Sequence, residues 1–206
     1  MARGRFITLE GGEGLGKSTN LKCIEDWLSN HGKEVVVTRE PGGTPVGEAI
    51  RAILLDVTQT SLCEEAELLL MFAARAEHIA QVIQPALERG CWVLCDRFTD
   101  ATYAYQGGGR LVDENRIEYL EDWILGGLKP DLTLLFDAPI EVGLARAKTR
   151  GDPDRFEIEG LRFFERIRNR YLSRAARFQD RIRVIDANQP LPRVEAAVLR
   201  ELKRLL

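Results

Sequence analysis

Short apolar runs alternate along this chain with stretches of helical periodicity. Five runs are rich in β-branched and other apolar residues and have the length of strands, at residues 6–10, 34–38, 91–95, 131–137 and 181–185. In the segments between them, apolar residues recur every three or four positions, as on one face of a helix. Continuous apolar strands separated by helices are typical of parallel sheets covered on both faces. The pattern predicts one α/β domain over residues 1–206 with a five-stranded parallel sheet.

The periodicity also sets approximate limits for the helices. They are predicted from Lys17 to Gly32 and at residues 46–55, 64–89, 113–125, 140–149, 159–179 and 192–206. Pro85 lies inside the longest of them, where it should kink or restart the helix because its nitrogen carries no hydrogen to donate. The order of the strands within the sheet does not follow from this pattern.

The stretch after the first strand fills the phosphate-loop pattern, a Gly, four other residues, then Gly-Lys-Ser/Thr. Lys17 is predicted to bridge the outer phosphates of a nucleoside triphosphate, and the Ser18 hydroxyl to ligate Mg²⁺. An ordinary Gly-rich turn is the alternative, but a strand before the loop and a helix after it favour nucleotide binding. The predicted nucleotide contacts are Gly11, Gly12, Glu13, Gly14, Leu15, Gly16, Lys17, Ser18 and Thr19.

Polar residues also follow the second and third predicted strands. Arg39 and Glu40 lead into a Gly- and Pro-rich stretch, and open α/β sheets bind ligands where such loops leave the carboxyl ends of parallel strands. A plain connector is the less favoured interpretation. Asp96 ends the third strand, where phosphate-loop enzymes carry a second Mg²⁺ carboxylate. Arg97 beside it suits a bidentate phosphate contact.

Composition excludes several function classes. The net charge is 29 minus 32, or −3, which argues against a general nucleic-acid or membrane-surface binder. The four cysteines form no C-x-x-C pair, and the two histidines are too few for a metal cluster or a Ser-His-Asp triad. We see no signal-peptide pattern and no apolar run of membrane-spanning length, so we expect a cytoplasmic protein that does not contact membrane or nucleic acid.

Several motifs taken together resemble the thymidylate kinases, which phosphorylate dTMP with ATP. The resemblance spans essentially the whole chain and rests on residues 11–19, Thr38-Arg39-Glu40-Pro41-Gly42-Gly43-Thr44, Asp96-Arg97 and Ala104-Tyr105-Gln106-Gly107-Gly108-Gly109-Arg110. It implies a P-loop NTPase fold of the nucleoside monophosphate kinase type, with a short lid at about residues 146–159. It also implies ATP and dTMP as substrates, Mg²⁺ held by Ser18 and Asp96, and a homodimer.

The resemblance further implies roles for individual residues. On their own, Phe72 and Arg75 would be interpreted as a core aromatic and a solvated charge, since aromatics on a helical stripe are usually core. The family pattern instead implies that Phe72 stacks on thymine and Arg75 bonds its carbonyl oxygen. Glu13 would contact the sugar 3′-hydroxyl and Tyr105 crowd the sugar 2′ position. The remaining substrate contacts implied are Arg39 and Arg97 at the monophosphate, and Thr102 and Gln106 beside the base.

The lid is expected to supply a cation for the transferred phosphoryl group. Gly14 stands where some thymidylate kinases carry a basic residue, so this chain resembles the bacterial type, which has arginines in the lid. Arg150 is the best candidate, and Arg146 and Arg155 are also available. The predicted catalytic residues are Lys17, Arg97, Arg150 and Arg155. The alternative is that the lid arginines form a solvated basic face whose ion pairs contribute little to stability.

Three other functions share part of this sequence pattern. A GTPase-type switch would need a guanine-reading Asn/Thr-Lys-x-Asp segment, which this sequence lacks. A DNA-handling ATPase would need a basic surface to bind DNA, and the negative net charge argues against one. The nearest alternative is another P-loop nucleotide or deoxynucleoside kinase, since those enzymes share the loop and the chemistry.

Overall fold

The computed structural model describes residues 3–59, 61–148 and 154–206. Within these ranges the predicted strands form one parallel sheet, in the order β2-β3-β1-β4-β5. The strands are β1 (Phe6–Gly11), β2 (Val35–Arg39), β3 (Trp92–Asp96), β4 (Leu132–Asp137) and β5 (Ile182–Asp186). The predicted five-stranded parallel sheet is thereby confirmed.

Helices follow or precede each strand, as the periodicity predicts. They are α1 (Lys17–Asn30), α2 (Pro45–Leu55), α3 (Glu64–His78), α4 (Gln84–Glu88), α5 (Thr99–Thr102), α6 (Glu114–Leu125), α7 (Ile140–Ala147), α8 (Leu161–Arg177) and α9 (Leu191–Leu202). A π-helical segment, Ile79–Ile83, joins α3 to α4. Pro85 lies in the first turn of α4, so the predicted interruption of the long helix is confirmed.

A second π-helical segment, Tyr103–Gly109, continues α5. Gly108 and Gly109 are packed tightly against α8: a Cβ on Gly109 would lie 2.5 Å from the Phe163 ring, and one on Gly108 would lie 3.0 Å from the Arg166 carbonyl oxygen. Such segments are rare and frequently occur at functional sites. Tyr105 and Gln106 lie on this segment, and both line a cleft at the carboxyl edge of the sheet.

The core lies on both faces of the sheet because successive residues of a strand point to opposite sides. On one face, Ile7 packs with Ile24 of α1 in a buried cluster that includes α9. On the other face, Phe6 packs with Phe72 of α3 and Ile117 of α6. Helices therefore cover both surfaces, which explains why the central strands are apolar at nearly every position.

The register brings the carboxyl ends of three strands together. Leu9 of β1 and Arg39 of β2 both lie opposite Asp96 of β3. The phosphate loop, the Glu40 loop and Arg97 therefore leave the sheet side by side. This is the edge at which open α/β sheets bind ligands.

Candidate functional site

A cleft of about 610 Å³ opens at this edge of the sheet. The predicted residues that line it are Glu13, Gly14, Leu15, Gly16, Lys17, Ser18, Thr19, Arg39, Arg75, Asp96, Arg97, Thr102, Tyr105 and Gln106. They come from positions nearly 100 residues apart. Gly11 and Gly12 form the base of the phosphate loop, where their carbonyl oxygens contact Lys17. The structure thus gathers most of the predicted site around one cavity.

The phosphate loop wraps closely around the start of α1. Lys17 is buried, and its Nζ donates to the carbonyl oxygens of Gly11 and Gly12 at 3.1 and 2.7 Å. Burial, with the nearby positive charge of Arg97, lowers the pKa of Lys17. Gly14 has a φ of 69°, and a Cβ there would lie 2.0 Å from the Gly143 carbonyl oxygen. Because α7 is so close, this position has no room for a side chain in this conformation.

Arg97 is the centre of a polar cluster beside the loop. It has a positive φ of 69°, unusual for a residue with a side chain. Its guanidinium forms an ion pair with Glu13, donates to the Gly11 carbonyl oxygen at 2.9 Å, and lies over the Tyr105 ring at 4.8 Å. The Tyr105 hydroxyl in turn donates to Glu13 at 3.0 Å. Three residues predicted for the acceptor thus contact one another.

Glu10, which no sequence motif singles out, contacts the residues that hold this cluster. The side chain is fully buried; one carboxylate oxygen accepts from the Phe98 N–H at 2.7 Å and the other from the Tyr171 hydroxyl at 2.8 Å. The Phe98 bond follows directly on Arg97, so it helps hold the turn with the positive φ. Burial, with the nearby Asp100 charge, raises the pKa of Glu10 to about 8.

Arg75 lies at the other side of the cleft in a fixed orientation. Its Nε donates to Glu40 Oε2 at 2.7 Å, and its Nη2 donates to the Thr102 hydroxyl at 3.0 Å. Among the described residues, its buried Nη1 has no hydrogen-bond partner. A buried donor without a partner is costly, so this nitrogen is available for a ligand acceptor.

Phe72, which was predicted to stack on thymine, does not line the cleft. Phe72 is 2% exposed and packs in the core with Phe6, while the residue before it, Met71, lines the cleft. One residue turns the side chain by about 100° around a helix, so adjacent positions face different surroundings. Phe72 therefore lies in the core, with the Arg75 guanidinium 4.8 Å from its ring centroid, while Met71 occupies the cleft wall; stacking of Phe72 on thymine stays a prediction.

The lid arginines have different surroundings. Arg146 lines the cleft and donates to the Ala187 carbonyl oxygen at 3.0 Å. Arg155 instead points into the protein, where its guanidinium bonds Glu67 at 2.6 Å and the Leu54 carbonyl oxygen at 2.8 Å. This engagement argues against the predicted catalytic role of Arg155, because both contacts hold its charge away from the cleft. Arg150 lies outside the described residues.

Other cleft residues were not singled out from the sequence. They are Pro41, Arg51, Leu55, Met71, Phe98, Asp154, Phe156 and Glu157. Arg51 is the one most relevant to an anion: it donates to the Pro41 carbonyl oxygen at 2.9 Å, and burial together with the Arg39 charge lowers its pKa.

The oxygen ligands predicted for a metal fit Mg²⁺. Ser18 and Asp96 both line the cleft, and Asp96 Oδ1 is buried without a hydrogen-bond partner among the described residues. In those same residues, no group of three or more His, Cys, Asp or Glu could hold a metal ion. Mg²⁺ is usually held by one or two protein oxygens together with phosphate and water, which matches this donor set.

Comparisons with known proteins agree with one another. A family model described as thymidylate kinase matches residues 9–198. The thymidylate kinase of Chromohalobacter salexigens is 59% identical over 208 residues, covering 100% of this chain and 98% of the relative. That of Ectopseudomonas mendocina is 58% identical over 195 residues, or 95% of this chain and 93% of the relative. The crystal structure of thymidylate kinase from Ehrlichia chaffeensis matches with a TM-score of 0.78 at 33% identity, covering 98% of this chain and 99% of that chain.

One further observation concerns the helices. Within the described ranges, none is both long and apolar enough to cross a lipid bilayer.

Proposed function

Because this chain belongs to the thymidylate kinase family and transfers the γ-phosphate of ATP to dTMP, we propose that its cleft holds ATP on the phosphate loop and dTMP between Arg97 and Arg75. The buried Nη1 of Arg75 is the observation that carries the acceptor assignment. Glu40 and Thr102 fix the other two guanidinium nitrogens. A thymine carbonyl would supply the missing acceptor, and the neighbouring amide of Gln106 a second base contact.

The phosphate groups are assigned to the opposite side. We propose that the loop N–H groups and Lys17 bind the outer phosphates of ATP, since the start of α1 adds a partial positive charge there. Arg39, Arg51 and Arg97 surround the place for the dTMP phosphate. An oxygen of that phosphate attacks the γ-phosphorus in line and ADP leaves, so the protein's task is to position two anions and neutralise their charge.

The sugar of dTMP is assigned to the polar cluster between these two regions. Glu13 would accept from the 3′-hydroxyl, and the Tyr105 ring would occupy the space of a 2′-hydroxyl. Their mutual hydrogen bond and the Arg97 contact hold both side chains before substrate arrives. Such preorganisation lowers the cost of ordering side chains during binding.

We also propose Mg²⁺ as the cofactor, held by the Ser18 hydroxyl and the Asp96 carboxylate. When bound, the ion would offset charge on the phosphate oxygens. A test independent of turnover is to titrate Mn²⁺ as a paramagnetic probe: Asp96→Asn should weaken its binding in the presence of ATP. Equal binding by Asp96→Asn and the unchanged protein would contradict the assignment.

The acceptor assignment is tested by coupled ADP release across dTMP, dUMP, UMP, dGMP and thymidine. We expect dTMP to give the highest kcat/KM, and Arg75→Ala to reduce it while leaving the KM of ATP little changed. A preference for another acceptor would favour the alternative of a different P-loop nucleotide or deoxynucleoside kinase. Lys17→Ala is the control for the reaction itself: it should lose at least about a hundredfold in kcat while melting normally.

We propose that the chain forms a homodimer through α3 and α6. Glu65 of α3 and Arg116 of α6 form an exposed ion pair at 3.2 Å, so the outer faces of the two helices lie side by side. Leu69 is 56% exposed on that surface, and Tyr119 and Trp123 are each 70% exposed. Burying aromatic and aliphatic side chains against a second copy would remove this area from water.

Light scattering after size exclusion tests the dimer. Trp123→Glu should yield monomers, whereas Val184→Glu, at a residue 51% exposed on β5, should not. A monomeric unchanged protein would contradict the proposal.

We finally propose that residues 1–206 act as one kinase domain with a lid at about residues 146–159, in the cytoplasm. The cysteines are free thiols and Cys63 is exposed, as is usual where the surroundings are reducing. Cell fractionation would test the location.

A further inference from the structure

Glu67 is a buried carboxylate that contacts two functional regions at once. It lies on α3 and is 1% exposed. Its Oε1 accepts from the Gln106 side-chain amide at 2.8 Å, and its Oε2 accepts from Arg155 at 2.6 Å and Arg110 at 3.2 Å. These donors lie 39, 88 and 43 residues away along the chain. No motif in the sequence singles out Glu67.

The first region that Glu67 holds is the acceptor side of the cleft. Gln106 lines the cleft beside Arg75 and Thr102. Because its amide nitrogen donates to Glu67, the amide carbonyl is the part left to face a ligand. The Glu67 contact therefore decides which end of the amide a base would meet.

The second region is the segment after residue 153. Arg155 is anchored to the protein by its backbone N–H, which donates to the Leu55 carbonyl oxygen at 3.2 Å, and by its guanidinium contacts. The next residue, Phe156, lines the cleft and meets the Tyr105 ring edge to face, with centroids 5.7 Å apart. Asp154 and Glu157 also line the cleft. The Glu67–Arg155 bond thus sets where this segment lies against the site.

We propose that Glu67 is a positioning residue that makes the placement of residues 154–159 depend on whether the acceptor base side is occupied. A base that binds Gln106 restricts the orientation of the Gln106 side-chain amide. Because that amide donates to Glu67, the position of the Glu67 carboxylate, to which Arg155 is bonded, is restricted as well. A carboxylate only accepts hydrogen bonds, so it can satisfy three donors, whereas a glutamine amide in its place would turn a donor toward an arginine. The coupling is reciprocal: fixing the segment must also favour the acceptor.

Hydrogen exchange with and without dTMP tests whether the placement of residues 154–159 depends on the acceptor. In the unchanged protein, dTMP should slow amide exchange in a peptide covering residues 154–163 by about fivefold or more, the lower range of usual couplings. In Glu67→Gln, measured at saturating dTMP, the slowing should vanish. The matched control is Glu77→Gln on the same helix, whose carboxylate bonds Gln81 at the surface, and it should keep the full effect.

Affinity for a non-hydrolysable ATP analogue gives a second readout. The ratio of its Kd without and with dTMP should exceed one in the unchanged protein and approach one in Glu67→Gln. If Glu67→Gln fails to fold, Arg155→Lys is the substitute variant. A lysine ammonium cannot bond both the Leu54 carbonyl oxygen and the Glu67 carboxylate as the arginine guanidinium does, so this variant should also lose both effects. A folded variant that binds dTMP and retains both effects would overturn the proposal, as would an unchanged protein without either effect.

Discussion

The Nε atom of Arg75 lies 2.7 Å from Oε2 of Glu40, and both side chains are buried, with 2% and 4% of their area exposed. The other oxygen of Glu40 lies 2.9 Å from Nδ1 of His78. A carboxylate oxygen can only accept here, so His78 donates from Nδ1, and its Nε2 lies 2.6 Å from the Thr38 hydroxyl. Glu40 is therefore held from two sides, and it holds Arg75, the residue proposed to contact the thymine base.

Replacing Glu40 should weaken dTMP use more than ATP use. We expect Glu40→Gln to lower kcat/KM for dTMP by roughly 10- to 100-fold, the value of a hydrogen bond to a charged group. The KM of ATP should change little. The melting temperature should also fall, because Arg75 would keep a buried charge with a weaker partner. Steady-state kinetics in both substrates provide the check, and an unaltered dTMP KM would show that Arg75 does not depend on Glu40.

Tyr105 should control the choice between deoxyribose and ribose. Tyr105→Ala is expected to narrow the kcat/KM ratio of dTMP to its ribose analogue by ~1–3 kcal/mol, since the ring would no longer fill the 2′ space. Tyr105→Phe is the control, because it keeps the ring and removes only the hydrogen bond to Glu13. If the ratio stays unchanged in Tyr105→Ala, the sugar filter lies elsewhere, with Glu13 the next residue to test.

Arg150 remains the predicted lid arginine, and its substitution distinguishes a catalytic role from a structural one. Arg150→Ala should lower kcat by at least about a hundredfold, as expected for a group acting on the transition state, with little change in the dTMP KM or melting temperature. Arg155→Ala should instead lower the melting temperature, because it leaves the buried Glu67 with one guanidinium fewer. A small kcat loss in Arg150→Ala would contradict the role and leave Arg146, which lines the cleft, to be tested.

Glu10 should make stability depend on pH. Burial and the Asp100 charge raise its pKa from 4.5 to about 8 in the folded chain, although Arg97 and the Tyr171 hydroxyl oppose the shift. Between those values the folded chain keeps a proton that the unfolded chain has released. The free energy of unfolding attributable to Glu10 therefore falls as pH rises from about 4.5 to about 8, and is constant outside that range.

Glu10→Gln removes this titration. Urea unfolding at about pH 5 and pH 8 should show that the change in stability between the two is smaller in Glu10→Gln by roughly 2–5 kcal/mol. Equal pH dependence in the two proteins would mean that Glu10 is ionised throughout this range.

Local sequence was sufficient to predict the elements that depend on neighbouring residues. The phosphate loop needs only consecutive positions, because glycines and the following helix define its shape. The strands and helices follow from periodicity, and Pro85 interrupts a helix wherever that helix packs. Parallel strands have their carboxyl ends at the same edge of a sheet. The prediction of a parallel sheet therefore also predicted that Arg39, Asp96 and the phosphate loop lie at one edge.

Only the tertiary structure decided the strand order and the identity of partners distant in sequence. Glu10 and Tyr171 are 161 residues apart, and Glu67 and Arg155 are 88 apart. No local pattern specifies such contacts, since they result from how helices pack on the sheet. Met71 rather than Phe72 lines the cleft for the same reason. Both residues are apolar and adjacent on one helix, so their side chains must point in different directions. Only the packing of that helix on the sheet determines which of the two is buried in the core.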